Sequence, residues 1–179
     1  MRLLFEIDKK GYKEGGTVGF RPSVRGIIIR DDKIAMIHSL KYDYYKLPGG
    51  GMEQGEEQID TLIREVREES GLKVIRSSVR EFGYVRRIQK GEIEDIFIQD
   101  NFYYLCETEK ETIVQHLDDY EQNEHFTLEF VTPQHAIDVN RNSNHSEKGL
   151  DAHGAVMIER EIKVFQILTE EVFHSGREF

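Results

Sequence analysis

A helical stripe bounded by glycine on both sides constrains the fold more than any other feature. From about Gly55 to Ser70, apolar residues recur at i, i+3, i+4 and i+7, the spacing of one buried helix face; they are Ile59, Leu62, Ile63 and Val66. The run Pro48-Gly49-Gly50-Gly51 precedes the stripe and Gly71 follows it, as a turn and a C′ residue would. We therefore predict an amphipathic helix that follows a glycine turn.

Apolar runs rich in β-branched residues on either side of this helix predict strands. Val24 to Ile29 and Ile34 to Ile37 predict a hairpin across a polar turn, and Tyr44 to Leu47 predicts a third strand. Further strands are predicted at 73–85, 96–105 and 126–131, with the charged segment 86–95 joining the first two.

The C-terminal part of the sequence predicts helices. Thr132 is expected as an N-cap with Pro133 at the first helical position, followed by a short helix. Helical spacing over about 152–168 predicts a C-terminal helix, while 120–125 and 140–146 are expected to be loops. Strands, one helix, strands and further helices predict a mixed α+β sandwich, with residues 1–179 forming a single domain.

Composition excludes several classes of function. The 179 residues carry a formal net charge of −10, which disfavours binding of a long nucleic acid through its phosphates. Cys106 is the single cysteine, so no intramolecular disulfide can form and a cytoplasmic location is expected. Acidic residues interrupt the N-terminal apolar run, and no stretch approaches the roughly 20 apolar residues that cross a bilayer. We expect neither a secretory signal nor a membrane partner.

Three carboxylates of the predicted helix form the candidate site. Glu65, Glu68 and Glu69 stand at i, i+3 and i+4, so a helix places them beside one another on one face. Neighbouring carboxylates raise one another's pKa unless a positive charge neutralises them. An all-oxygen donor set favours a hard divalent cation, Mg²⁺ or Mn²⁺, over zinc. We predict a magnesium site on this face.

The glycine turn and one ion pair complete the predicted site. Exposed backbone at the turn leaves room for a phosphate or for a carbonyl that binds metal. Arg64 follows Glu56 by eight residues, which is near enough in helical angle for a structural ion pair. A metal beside a glycine turn suits hydrolysis of a pyrophosphate bond, because the metal binds phosphate oxygens and acidifies the attacking water.

The segment from Gly50 to Leu72 resembles the Nudix box of the Nudix hydrolases. Its pattern is Gly, five residues, Glu, seven residues, Arg-Glu, an aliphatic residue, one residue, Glu-Glu, one residue, Gly and an aliphatic residue. Every fixed position is met; the matching residues are Gly50, Glu56, Arg64, Glu65, Val66, Glu68, Glu69, Gly71 and Leu72. The box covers 23 of the 179 residues.

This resemblance implies a Nudix-type α/β/α sandwich with a mixed β-sheet, and a Mg²⁺-dependent pyrophosphohydrolase. The implied substrate is a nucleoside diphosphate linked to another moiety, such as a nucleoside triphosphate or a nucleotide sugar. Glu65, Glu68 and Glu69 would be the metal ligands and catalytic residues. Gly50, Glu56, Arg64 and Gly71 would support them.

The general base and the residues that bind substrate are less determined by sequence. In the family the base can come from a later loop; the candidates are Glu92, Glu94, Asp95, Glu121 and Glu124. Arg30, Arg86 and Arg87 could contact substrate, although solvated surface residues explain them as well. The sequence leaves a homodimer open.

Features outside the box narrow the substrate and leave one alternative. The resemblance disfavours the ADP-ribose type, which has a proline about sixteen residues after the box, since the prolines here are Pro22, Pro48 and Pro133. The offset of Tyr84 disfavours the diadenosine polyphosphate type. A role in RNA decapping is weakened by the acidic balance. The alternative from another class is a catalytically inactive Nudix-like nucleotide sensor or interaction module.

Overall fold

Two β-sheets carry the strands of this protein in the computed structural model, which describes residues 1–173. The described strands are β1 (Leu3–Asp8), β2 (Val18–Phe20), β3 (Ser23–Ile27), β4 (Ile29–Arg30), β5 (Lys33–Ser39), β6 (Tyr44–Lys46), β7 (Arg80–Lys90), β8 (Ile96–Leu105) and β9 (Phe126–Val131). The helices are α1 (Gln58–Ser70), α2 (Asp119–Glu124), α3 (Pro133–Asn142) and α4 (Ala152–Leu168). A 3₁₀ turn covers Arg76–Ser78, and a π-helical turn covers Thr169–Phe173.

The first sheet is mixed, as predicted. Its order is β1-β7-β8-β2, and β3 also pairs with β8. Strands β7 and β8 are antiparallel, whereas β1, β2 and β3 each run parallel to the strand they join. The second sheet is antiparallel, with β4-β5-β6 in order and β9 against β5. With the helices, these sheets confirm the mixed α+β class.

Contacts divide the chain into two compact units. The first contains 1–27, 49–67 and 72–112, and the second contains 28–48, 68–71 and the chain from Ile113 onward. The first sheet belongs to the first unit, and the second sheet with α2, α3 and α4 belongs to the second. Helix α1 is one continuous helix; its residues up to Arg67 are counted with the first unit, and its last turn is counted with the second. The single-domain interpretation stays a prediction, and its residues 174–179 lie outside the described residues.

Helix α1 confirms the predicted amphipathic helix. It begins at Gln58, three residues later than expected, because Gly55 has a positive φ of 82° that ends the preceding turn. Leu62 and Val66 of the apolar stripe are fully buried. The helix ends at Ser70, and Gly71 has a φ of 71°, the left-handed conformation expected of a C′ glycine.

The predicted hairpin at 24–37 is wrong in its first half. Residues 24–27 belong to β3, which pairs with β8 of the other sheet. The hairpin is confined to Ile29↔Ile34 and Arg30↔Lys33. The sequence pattern shows an apolar run, but it does not show that the run changes sheets at Ile28.

The predicted strand at 73–85 is also wrong in its first half. The chain there makes one isolated bridge, Val74↔Thr108, and then the 3₁₀ turn. Strand β7 instead extends to Lys90 and takes in residues that were assigned to the charged connection. The loop between β7 and β8 is therefore only 91–95.

Of the two predicted loops, 120–125 is helical up to Glu124 and 140–146 is helical over its first three residues, while 143–146 lie outside any helix or strand. Residues 119–124 form α2, which has a capping box in which the Asp118 side chain and the Glu121 side chain bond each other's backbone N–H. Residues 140–142 complete α3, since the Asn140 side chain accepts from Tyr45 N (2.7 Å) and donates to Tyr45 O (2.9 Å). The predicted cap of α3 is confirmed, because the Thr132 side chain accepts from His135 N.

Helix α4 covers the range over which the sequence shows helical spacing. Its Ile158 packs with Ile37, Tyr44 and Phe126 in the core of the second unit. Within the part of the chain that the structure describes, no helix is long and apolar enough to cross a membrane.

Candidate functional site

The glycine turn before α1 is attached to the start of β3. Val24 N donates to Gly50 O (2.9 Å), and Met52 N donates to Pro22 O (3.0 Å). Gly51 also makes an antiparallel bridge to Ser23. The turn is therefore an edge of the first sheet, and backbone hydrogen bonds fix its position.

Glu65 lies directly against this turn. A Cβ on Gly50 would come within 2.1 Å of Glu65 Oε2, so any other residue at position 50 would displace the carboxylate. Glycine is needed here for close approach. The sequence predicted a glycine turn beside an acidic helix, and the structure brings Gly50 and Glu65 together.

Arg64 connects α1 with the segment before it that carries Glu56. Its Nε and Nη2 donate to Glu56 (2.8 Å each), and its Nη1 donates to Glu65 Oε1 (2.7 Å). This confirms the predicted ion pair with Glu56. The pKa of Glu56 falls to about 2, because Arg64 donates to it and Thr61 and the Glu53 backbone add hydrogen bonds, which outweigh desolvation. The same contacts raise the pKa of Arg64.

Glu69, in the last turn of α1, has a buried cationic partner. Lys46 Nζ lies 2.5 Å from Glu69 Oε1. The exposed fractions of these side chains are 7% for Lys46 and 1% for Glu69. The ammonium also lies 4.6 Å from the centre of the Phe126 ring. Sequence reasoning missed Lys46, since a lysine in a short strand gives no local signal of a partner 23 residues away.

Glu121 of α2 is the acidic neighbour of Glu69. It is 4% exposed. Burial, followed by the charge of Glu69 and a hydrogen bond with it, raises the pKa of Glu121 to about 7. Its oxygens accept from Asp118 N (2.9 Å) and Tyr120 Oη (2.8 Å). Of the base candidates named from sequence, the structure therefore places Glu121 beside Glu69.

Backbone contacts hold the last turn of α1. His116 N donates to Glu68 O (2.8 Å), and the Gln115 side-chain amide donates to Glu69 O. A Cβ on Gly71 would come within 2.1 Å of Ile113 O, so Gly71 fits both the left-handed turn and this close approach. Glu68 itself is half-buried.

The other base candidates have structural partners. Asp95 accepts from the Thr17 N–H (2.9 Å) and hydroxyl (3.1 Å). Glu124 accepts from Tyr44 Oη (2.7 Å) and Ser39 Oγ (2.9 Å). Glu92 and Glu94 lie in the 91–95 loop. Hydrogen bonds of this kind favour roles in folding for Asp95 and Glu124.

The three candidate arginines lie on two different strands, one in each unit. Arg30 lies in β4, with its guanidinium 4.7 Å from the Phe130 ring centre. Arg86 and Arg87 lie in β7 rather than in a hairpin connection; Arg86 makes a two-bond pair with Asp100 (2.8 and 2.7 Å). Arg87 is 7% exposed and stacks over Phe97 at 5.6 Å. Their substrate role stays a prediction.

The carboxylate oxygens of Glu65, Glu68 and Glu69 are ligands that suit a hard cation. In the structure, however, two of these carboxylates form ion pairs with basic side chains. Among the described residues, no three His, Cys, Asp or Glu side chains gather so as to hold a metal ion. Glu65 is paired with Arg64 and Glu69 with Lys46. The neutralising charges that we assigned to a metal are thus supplied here by two side chains, and a cation would have to replace them.

The two sheets, the helix that follows a glycine turn and its row of carboxylates define the class of the fold. The chain belongs to the NUDIX domain family, whose model matches residues 19–152. This confirms the resemblance seen in the box.

Short segments of the chain are similar to curated proteins. The RNA pyrophosphohydrolase of Ruthia magnifica subsp. Calyptogena magnifica is 45% identical over 56 residues, 30% of this chain and 31% of that protein. The uncharacterized Nudix hydrolase YvcI of Bacillus subtilis (strain 168) is 35% identical over 54 residues, 30% of this chain and 34% of that protein. The matches thus span about a third of these relatives.

Solved structures agree in fold over most of the chain. A NUDIX hydrolase from Nitrosomonas europaea matches with a TM-score of 0.54 and 14% identity, covering 89% of this chain and 91% of that chain. The E. coli ORF135 protein matches with a TM-score of 0.51 and 18% identity, covering 88% and 95%. These likenesses support the Nudix fold.

Proposed function

We propose that this protein hydrolyses a pyrophosphate bond in a nucleoside diphosphate linked to another moiety, using Mg²⁺ or Mn²⁺. The observation that carries the proposal is the complete box, whose three candidate ligands lie on one continuous helix, with Gly50 against Glu65. The substrate class is a small nucleotide, such as a nucleoside triphosphate or a nucleotide sugar. The relatives named RNA pyrophosphohydrolase add a 5′-triphosphorylated RNA to the substrates that should be tested.

Glu65, Glu68 and Glu69 are the proposed metal ligands. Their spacing on α1 supports this role, and so does the preference of Mg²⁺ for carboxylate oxygen. When bound, the cation would neutralise phosphate oxygens and lower the pKa of the attacking water. Arg64 positions Glu65 through the 2.7 Å hydrogen bond and anchors the turn through Glu56.

Glu121 is the proposed general base. It is the candidate that contacts Glu69, whereas Asp95 and Glu124 are engaged in structural hydrogen bonds. A carboxylate at this position would accept the proton of the attacking water. The Tyr120 hydroxyl and the Asp118 N–H hold its two oxygens in place, so its orientation is fixed before substrate binds.

The test is product release from a panel of nucleoside triphosphates, nucleotide sugars, dinucleotides and a 5′-triphosphorylated oligoribonucleotide. Each is assayed with Mg²⁺, with Mn²⁺ and with EDTA, beside Glu68→Gln. We expect turnover of at least one class that needs the metal and is lost in the variant. Turnover that persists in EDTA, or equally in Glu68→Gln, would contradict the proposal.

A nucleotide sensor without turnover is the second candidate. The observation that favours it is the pairing of Glu65 and Glu69 with cationic side chains, because a binding module can keep its carboxylates neutralised without a metal. Saturable nucleotide binding with no turnover by wild type, in either metal, would favour this function over hydrolysis.

A further inference from the structure

Arg25, in the middle of β3, lies on the face of the first sheet opposite α1. A Cβ at the next residue, Gly26, would lie 2.9 Å from Val66 and 3.4 Å from Leu62, so position 26 faces the helix. Successive residues of a strand point to opposite faces. The Arg25 side chain therefore extends away from α1.

The Arg25 side chain is half-buried, and two of its guanidinium nitrogens lack a hydrogen-bond partner. Its Nε and Nη1 are shielded from solvent and have no hydrogen-bond partner in the structure. Buried polar groups in folded proteins are nearly always hydrogen-bonded, and each exception requires an explanation. Buried donors that are left unsatisfied are unfavourable for folding, so selection for stability alone does not explain an arginine here.

The surroundings of Arg25 are polar rather than apolar. Tyr103 stands beside it in the register of β8, and the pair Ser23 and Asn101 lies two residues earlier on the same face. Ser23, Asn101 and Tyr103 are fully buried. Ser23 Oγ donates to Asn101 Oδ1 (2.7 Å), and Asn101 Nδ2 donates to backbone carbonyls. These side chains form a polar wall beside the two unpartnered nitrogens of Arg25.

The wall adjoins the glycine turn. The Cα of Arg25 lies only 2.9 Å from the position of a Cβ on Gly49. The backbone of β3 at this point thus borders the turn that carries Gly50, against which Glu65 lies. A substrate whose pyrophosphate reaches the turn would extend along β3 within range of the Arg25 side chain.

We propose that Arg25 binds a phosphate group of the substrate by a charge-assisted hydrogen-bonded pair. An anion both fills the two unused donors and pairs with the guanidinium charge, whereas a nucleobase carbonyl would do only the first. The proposal rests on the proposed function, since it assigns a substrate-binding residue to that site. Arg25 was not among the arginines that the sequence singled out.

The experiment measures ligand binding by calorimetry in EDTA, so that no metal takes part. The probes are inorganic pyrophosphate and a nucleoside without phosphate, and the proteins are wild type, Arg25→Met, Arg25→Lys and Arg80→Met. Arg80, exposed at the first residue of β7, is the matched control. We expect Arg25→Met to weaken pyrophosphate binding about 10- to 100-fold, Arg25→Lys to weaken it less, and Arg80→Met to bind as wild type does.

Two results would overturn the proposal. One is equal or absent pyrophosphate binding in wild type and Arg25→Met. The other is loss of nucleoside binding in Arg25→Met while pyrophosphate binding is unchanged, which would assign Arg25 to the base. A melting temperature of Arg25→Met at or above that of wild type is expected, because the variant removes two unsatisfied buried donors; a large decrease would indicate a structural role instead.

The measurements distinguish failure of the Arg25 proposal from failure of the proposed hydrolysis. A wild type that turns over no nucleotide but binds pyrophosphate through Arg25 would contradict hydrolysis and leave the phosphate site standing. Metal-dependent turnover with equal KM in wild type and Arg25→Met would support hydrolysis and contradict the phosphate site at Arg25.

Discussion

The two ends of the acidic row on α1 neutralise their carboxylates in different ways. Glu65 is paired with Arg64, whose side chain is 26% exposed, within a network that includes Glu56 at 15%. Glu69 is paired with Lys46 at 7% and 1% exposure. A partly hydrated pair can be exchanged at little cost, whereas a buried pair cannot lose one partner without leaving a charge in a poorly solvated place. The same motif thus combines a replaceable ion pair with one that the fold requires.

The largest expected effect comes from breaking the buried pair. In EDTA, Lys46→Met and Glu69→Gln should each lower the free energy of unfolding, Lys46→Met by about 3–5 kcal/mol because it removes the buried cation that neutralises Glu69. The double variant should recover much of this loss. Urea denaturation of the four proteins measures the coupling. Additive losses in the double variant would contradict the idea that the two charges depend on each other.

This expectation changes how the site should be tested. Sequence spacing treats Glu68 and Glu69 as equivalent ligands. The structure makes Glu69→Gln a change in stability as well as in charge, so a loss of activity in that variant alone would be ambiguous.

Glu68→Gln gives the cleaner functional result. Glu68 is half-buried, and we expect the free energy of unfolding to change by less than about 0.5 kcal/mol. Activity should fall by about 10²-fold or more if the carboxylate binds the metal that stabilises charge in the transition state. Glu57→Gln, an exposed residue just before α1, is the control and should retain wild-type kcat and KM. Wild-type turnover in Glu68→Gln would remove Glu68 from the proposed ligands.

Arg64→Ala should have an intermediate effect on stability. The variant removes the hydrogen bonds to Glu56 and Glu65, and bonds to charged groups are worth about 1.5–3 kcal/mol each at most, with partial exposure lowering that value. A decrease in melting temperature of about 2–8 °C is expected. Arg67→Ala, exposed on the same helix, should melt as wild type does, and equal melting of both variants would contradict the anchoring role.

The sequence predicted the features that depend on residues close together in the chain. It did not predict the features that depend on pairing between distant segments. The helix with its C′ Gly71, the Glu56–Arg64 pair and the cap at Thr132 follow from residues close in the chain. Lys46 opposite Glu69 and the change of sheets after Ile27 depend on pairings that no local pattern contains. The short helix α2 was missed for a different reason. Its capping box, Asp118 and Glu121, is visible in the sequence, but the polar composition of the segment favoured the prediction of a loop.

The base candidates show the same limit. From composition, Glu92, Glu94, Asp95, Glu121 and Glu124 were equivalent. Only the fold shows that Asp95 and Glu124 serve other residues and that Glu121 contacts Glu69.

The smallest expected effect is the dependence of stability on acid pH that comes from the network of Glu56, Arg64 and Glu65. The pKa of Glu56 falls from 4.5 to about 2 in the folded protein. A depressed pKa stabilises the folded state above the unfolded pKa, and this contribution disappears as pH falls through the folded value. The difference in free energy of unfolding between wild type and Glu56→Gln should therefore be constant above about pH 5 and shrink steadily towards about pH 2. Asp43, whose pKa is also lowered to about 2, is present in both proteins, so its contribution cancels. A difference that does not change with pH would mean that Glu56 acts through hydrogen bonds that glutamine also makes, and the contrast between the two ends of the acidic row would then rest on burial alone.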